Sequence, residues 1–226
     1  MNVQGKWGSK SGQINGNRYV IAQSAPYSLL PVGAVITNPF NYGGVAFEGD
    51  VLELDFSAKT AKLLKVFKVA KDVSAVDTEV WVEATDFSHM LQAGINVMKV
   101  PSSLTGTGVA VAVGTVTKAT DATAGVVYKF SITANALGTL TKGDLLVEAE
   151  AAGSGKKMYV QNPNVVLFTD VYFDENPATG DSDYTGFRYP VSVANEATIY
   201  GVKATPMPSI VKDNLRKGYS DIKVIQ

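Results

Sequence analysis

Apolar residues come in short runs along this chain. Most runs are rich in Val, Ile and Thr and stop at Gly, Asn, Asp or Pro, which is the pattern of strands separated by turns. It predicts strands near residues 18–23, 32–37, 51–56, 78–83, 96–100, 109–117, 125–133, 144–148, 157–160, 165–169, 197–204 and 221–225. In GVVYKFSIT, residues 125–133, Val126, Tyr128, Phe130 and Ile132 alternate with Val127, Lys129 and Ser131, the period of a half-buried strand. Many short strands must curl or stack to cover their apolar faces. The expected fold is therefore all-β, a sandwich or small β-barrel modules with a short C-terminal helix. The expected organisation is an N-terminal arm and first strand over 1–30, a β-rich body over 31–170, and a C-terminal part over 171–226 holding an acidic loop, strands and the helix.

Three stretches depart from simple alternation. Lys59, Lys62, Lys65, Lys68 and Lys71 recur at every third position with apolar pairs between them, such as Leu63-Leu64 and Val66-Phe67. A step of three fits neither strand nor helix, and the β-branched content favours strand. The stripe reads either as a contact for an acidic partner or, more plainly, as the lysine guard of an edge strand. Glycine and alanine between 106 and 114 point to close backbone approach or to a small-residue core. At the end of the chain, Pro208 and Ser209 precede IVKDNLRKG, with Ser209 as a cap, Gly218 as a stop, and Ile210, Val211 and Leu215 as the apolar edge of a helix of about two turns. So short a helix must dock on its own domain or on another chain. A faint echo pairs Val32-Gly-Ala-Val35 and Gly49-Asp-Val-Leu52 with Val113-Gly-Thr-Val116 and Gly143-Asp-Leu-Leu146, so the body reads as two related modules or as chance similarity.

Composition narrows the chemistry. The 226 residues carry 20 Lys plus Arg against 21 Asp plus Glu, a net charge of -1 that offers no long-range field for nucleic acid or anionic lipid. No cysteine means no disulfide, thiolate metal site or cysteine nucleophile, and one histidine cannot build a multi-histidine metal centre. The N-terminal MNVQGKWGSKSGQ lacks the apolar core of roughly 7 to 15 residues of a secretory signal. The most apolar stretch, 108–116, is about half the ~18 residues of a membrane-spanning helix. The expectation is a soluble protein without a membrane partner.

The acidic loop 170–183, with Asp170, Asp174, Glu175, Asp181 and Asp183, is the best candidate for calcium, although its spacing is not that of an EF-hand and a solvated loop is the plainer reading. Trp81, Tyr42, Tyr172, Tyr184 and Tyr189 could stack on sugar rings, or serve as core. A carboxylate pair for glycoside hydrolysis needs a facing geometry that spacing does not reveal. His89 lacks a nucleophile elbow and reads as a surface or turn histidine, and no phosphate-cradling glycine motif is present. No catalytic, cofactor or metal residue is assigned.

Strands entered through Gly-Asp (FEGDVLELD from Phe47, LTKGDLLVEA from Leu140), LQAGINVMKVP from Leu91 and the ending VKATPMPSIVKDNLRKGYSDIKVI make the chain resemble, over roughly residues 45–225, phage head-fibre or auxiliary capsid (decoration) proteins. Similar chains occur in phages of gut Bacteroidetes, including crAss-like phages. The resemblance implies a non-enzymatic β-rich virion protein, made in the host cytoplasm. It would attach to the outer capsid surface through the major capsid protein as a homo-oligomer, dimer or trimer, and need no cofactor. Docking falls to the polar N-terminal arm or to Ile210, Val211 and Leu215, in which case deleting 209–226 would abolish particle binding and leave a folded core. The alternative is a receptor- or glycan-binding β module of a phage fibre, making cell-surface contact through the aromatic loops.

Overall fold

In the computed structural model the described residues are 21–22, 27–38, 44–85, 88–134, 136–173, 190–201, 204–215 and 221–225. The fold is all-β with one short helix near the C-terminus. Strands β1 (Ser28–Ile36), β3 (Val51–Asp55), β4 (Thr60–Leu63), β13 (Val165–Leu167) and β15 (Pro190–Tyr200) follow one another in the order β1-β4-β3-β13-β15. Because β1 pairs with both β4 and β15, the sheet closes into a barrel. β16 (Asp221–Ile225) adds to β15 in parallel, and β2 (Gly44–Ala46) pairs with β14 (Val171–Phe173).

The chain between β4 and β13 forms two further sheets. β12 (Gly153–Lys156), β8 (Gly108–Ala112), β7 (Asn96–Lys99), β11 (Leu145–Ala149) and β5 (Val66–Lys68) make an antiparallel middle sheet in that order. β6 (Glu79–Glu83), β10 (Gly125–Ser131) and β9 (Val116–Asp121) make a three-stranded outer sheet. A bridge between Val69 and Val82 joins the two.

Three apolar clusters fill this arrangement. Leu52, Leu54, Leu63, Val165, Leu167 and Val193 occupy the barrel interior. Phe67, Val80, Val82, Val97, Phe130 and Leu146 lie between the middle and outer sheets. Between barrel and middle sheet lie Val51, Leu64 and Val166 from one side and Val66, Met98, Val147, Ala149 and Met158 from the other. The middle sheet is thus covered on both faces, and so is the barrel wall turned towards it. This explains the adjacent apolar pairs. Leu63 points into the barrel and Leu64 to the joint, while Val66 faces the joint and Phe67 the outer sheet.

Several expectations are corrected by these contacts. The lysine repeat is no stripe. Lys62 pairs with Glu53 at 3.6 Å and Lys68 with Glu83 at 2.9 Å, whereas Lys65 is buried. Nor is β4 an edge, since it lies between β1 and β3, although β5 does end its sheet. The single strand over 109–117 is two, β8 and β9. The 157–160 run makes only a bridge, Ala149 to Met158, and β12 precedes it. In β10 both Val127 and Phe130 are buried, and Val126 is exposed, so period two is not kept. β15 begins well before residue 197, and β2, β12 and β14 went unread. Of strand 18–23 only Ile21 and Ala22 are described, with Ile21 bridged to Ile199.

The glycine-rich stretch is close-packed in part: a Cβ on Gly108 would lie 2.8 Å from Met98 Cε and one on Gly106 3.0 Å from Ser103 O, while Gly114 has open space. The helix α1 (Ser209–Asn214) is capped by Pro208 rather than Ser209, with no side-chain cap bond. Gly218 lies outside the described residues.

Candidate functional site

The recurrent Gly-Asp pairs build one local device. Asp50 Oδ2 accepts from the Phe47 N–H at 2.6 Å and the Asp50 N–H donates to Phe47 O at 2.9 Å. Asp144 repeats this with Thr141, at 3.1 and 2.9 Å. Gly49 (φ +84°) and Gly143 (φ +97°) take the left-handed position that only glycine occupies without strain. Each turn delivers the chain into a central strand.

At the first turn the aspartate also organises a buried centre. His89, 1% exposed, approaches Asp50 Oδ2 with Nε2 at 2.8 Å, while the Val66 N–H donates to His89 Nδ1 at 3.1 Å. Since Nδ1 accepts, Nε2 carries the proton and donates it to Asp50. Thr205 Oγ1 donates to Asp50 Oδ1 at 2.6 Å. The hydroxyl thus meets the carboxylate and not the imidazole. With both ring nitrogens occupied, His89 has none left to take a proton from a nucleophile. Of the expectation of a surface or turn histidine, the surface half is wrong: His89 lies outside the strands, but it is buried against Asp50, a partner remote in sequence.

A second buried centre lies where the chain passes from barrel to middle sheet. Lys65, between β4 and β5, and Glu148, on β11, are cross-strand neighbours, with Lys65 Nζ 3.7 Å from Glu148 Oε2 and the Glu148 N–H donating to Lys65 O at 3.2 Å. Asn38, just beyond β1, donates from Nδ2 to the same Oε2 at 2.9 Å and to Leu63 O at 2.9 Å. Its Oδ1 accepts from the Leu63 N–H at 2.5 Å, which fixes the orientation of the amide. Burial pushes the Lys65 ammonium down to about 8, against the opposing attraction of Glu148. Sequence reading missed this centre, although the apolar pairs on both sides of Lys65 were its signal.

No family model matches the chain, and no curated protein or solved structure matches it.

On the surface, Trp81 lies at a cleft of about 250 Å³ lined also by Lys71, Asp72, Asp77, Thr78 and Glu79. Lys129 Nζ lies 3.7 Å and Lys71 Nζ 4.8 Å from the centre of the indole ring, so its surface already carries cations. Asp77 Oδ2 accepts from the Ser74 N–H at 2.6 Å and Asp72 Oδ1 from the Lys142 N–H at 2.6 Å, which ties both carboxylates to turns.

The other sequence candidates are dispersed. Val211 and Leu215 are fully buried in the joint, and Ile210 packs against it, so this apolar edge docks on its own chain. Asp170 Oδ1 accepts from the Glu48 N–H at 2.6 Å. Asp174, Glu175, Asp181, Asp183, Tyr42, Tyr184 and Tyr189 lie outside the described residues, as does the side chain of Tyr172. Among the described residues no group of three acidic or histidine side chains is placed to hold a metal ion, and no helix is long and apolar enough to cross a membrane.

Proposed function

We propose that the chain is a non-enzymatic structural protein of a bacteriophage virion, a head-fibre or auxiliary capsid protein on the outer capsid surface that binds the major capsid protein as a dimer or trimer. The observation that supports this reading is the inward placement of the buried ionisable groups. Asp50 with His89, and Lys65 with Glu148, are bonded across the junction of barrel and middle sheet, where they hold elements together. The segments that carry the resemblance, FEGDVLELD, LQAGINVMKVP and LTKGDLLVEA, supply β3, β7 and β11 of that same scaffold. A protein of this kind works through its outer surface. Several modest contacts borne by one oligomer add up to lasting attachment when the geometry lets them engage together. Purified chain added to capsids lacking it should cosediment and appear as extra density at symmetry-related positions, and should scatter light as a dimer or trimer. Failure to bind at saturating concentration would overturn the proposal.

A second reading, a glycan-binding fibre module, is favoured by the Trp81 cleft, which combines an indole with carboxylates and an ammonium in a volume suited to a single sugar ring. A sugar would have to displace Lys71 from the ring. A glycan array on which Trp81→Ala loses all signal would favour this reading over capsid attachment.

A further inference from the structure

Lys65, Glu148 and Asn38 together contain the parts of an amide-forming reaction. Lys65 Nζ is a nucleophile held at 1% exposure inside the protein, and loss of its proton is what would activate it. Asn38 supplies a carboxamide carbon. Glu148 Oε2 lies near both nitrogens that must exchange protons, at an ion-pair distance of 3.7 Å from Lys65 Nζ and hydrogen-bonded at 2.9 Å to Asn38 Nδ2. The Leu63 N–H, 2.5 Å from Asn38 Oδ1, points at the oxygen on which negative charge would develop. Positioning of this kind can replace much of the activation that an enzyme supplies.

We propose that the folded chain joins Lys65 to Asn38 through an isopeptide bond, with Glu148 as proton shuttle. Lys65 gives a proton to Glu148, and the free amine attacks Cγ of Asn38. Glu148 returns the proton to Nδ2, the Cγ–Nδ2 bond breaks, and ammonia leaves. Glu148 then takes the surplus proton from Nζ. The product is a secondary amide, a neutral Glu148 carboxyl and one ammonia, with charge and hydrogen balanced and no oxidant consumed. The reaction replaces a buried ion pair by neutral groups, which removes the desolvation cost that burial places on the charges. Burial also shifts Lys65 towards the free amine, its ammonium titrating at about 8.

The bond would tie the end of β1 to the exit of β4, strands already paired in parallel at Val35–Thr60 and Ile36–Ala61. In a chain with no cysteine it would do what a disulfide does, restricting the unfolded state.

Intact mass spectrometry of the full chain, denatured after purification and after prolonged incubation above pH 8, tests the proposal. The expected result is a mass lower by one ammonia and, after trypsin, a branched peptide containing Asn38 and Lys65. Lys65→Met and Glu148→Gln, checked for folding by circular dichroism, should both keep the full mass. A folded wild-type chain that keeps its full mass would overturn the proposal. So would an ammonia loss that persists in Lys65→Met, because the lost ammonia would then come from a cyclic imide at an asparagine.

Discussion

Asp50 shows how much one side chain can hold. Its carboxylate accepts from Phe47 N–H, His89 Nε2–H and Thr205 Oγ1–H, three donors contributed by the turn before β3, the loop before β7 and the segment before α1. Asp50→Ala would remove the acceptor that these three donors share. The expected cost is about 3–5 kcal/mol, read as a lower urea midpoint at unchanged slope. Asp50→Asn keeps an oxygen and should recover part of it. The Gly-Asp pair marked this residue as the entry to a strand. It did not show His89 arriving from 39 positions away, because a bond between remote residues leaves no local trace.

At the scale of the element, aspartates secure the turns. The carboxyls of Asp55, Asp77, Asp121 and Asp144 are all held below the ordinary value of 3.8: by the Ser57 hydroxyl, by the backbone N–H of Ser74, by the backbone N–H of Ala124, and by the Lys99 ammonium, respectively. A carboxyl whose folded value is depressed stabilises the fold fully above its unfolded value, and the contribution fades as pH falls through the folded one. Thermal stability should therefore hold at neutral pH and drop once the pH passes below 3.8. Asp144→Asn should lower the neutral-pH stability and flatten the acid side of the profile, as scanning calorimetry over a pH series would show. The Gly, Asn, Asp and Pro punctuation between strands was legible because turn chemistry is local. The strand boundaries around residues 109–117 and 157–160 were not, because hydrogen-bonded partners, and not propensity, decide where a strand stops.

For the whole molecule, the decisive feature is the shared joint. The barrel is closed by strands from both ends of the described chain, and the middle sheet is inserted between them. Val211, Leu215 and Ile222 lie in the joint with the strands of both units. Deleting residues 209–226 should therefore unfold the chain rather than leave the intact core that the sequence led us to expect. A broadened transition or loss of chemical-shift dispersion in the truncated chain would show this, and a native-like spectrum would refute it. Removing three buried apolar side chains together costs more than about 5 kcal/mol, the size of a typical domain's whole stability.

The sequence by itself determined the all-β class, most of the strands, the entry of two of them through Gly-Asp, the terminal strand 221–225 and the composition that rules out cysteine chemistry. Each rests on interactions between near neighbours. Only the tertiary structure decided that β1 closes a barrel with β15, that one sheet is covered on both faces, that His89 and Lys65 are buried, and that Asn38 and Lys65 share one carboxylate oxygen. The reason is physical: alternation reports which residues avoid water, but not which surface covers them. A buried charge is chosen by a partner that the chain brings to it from far away.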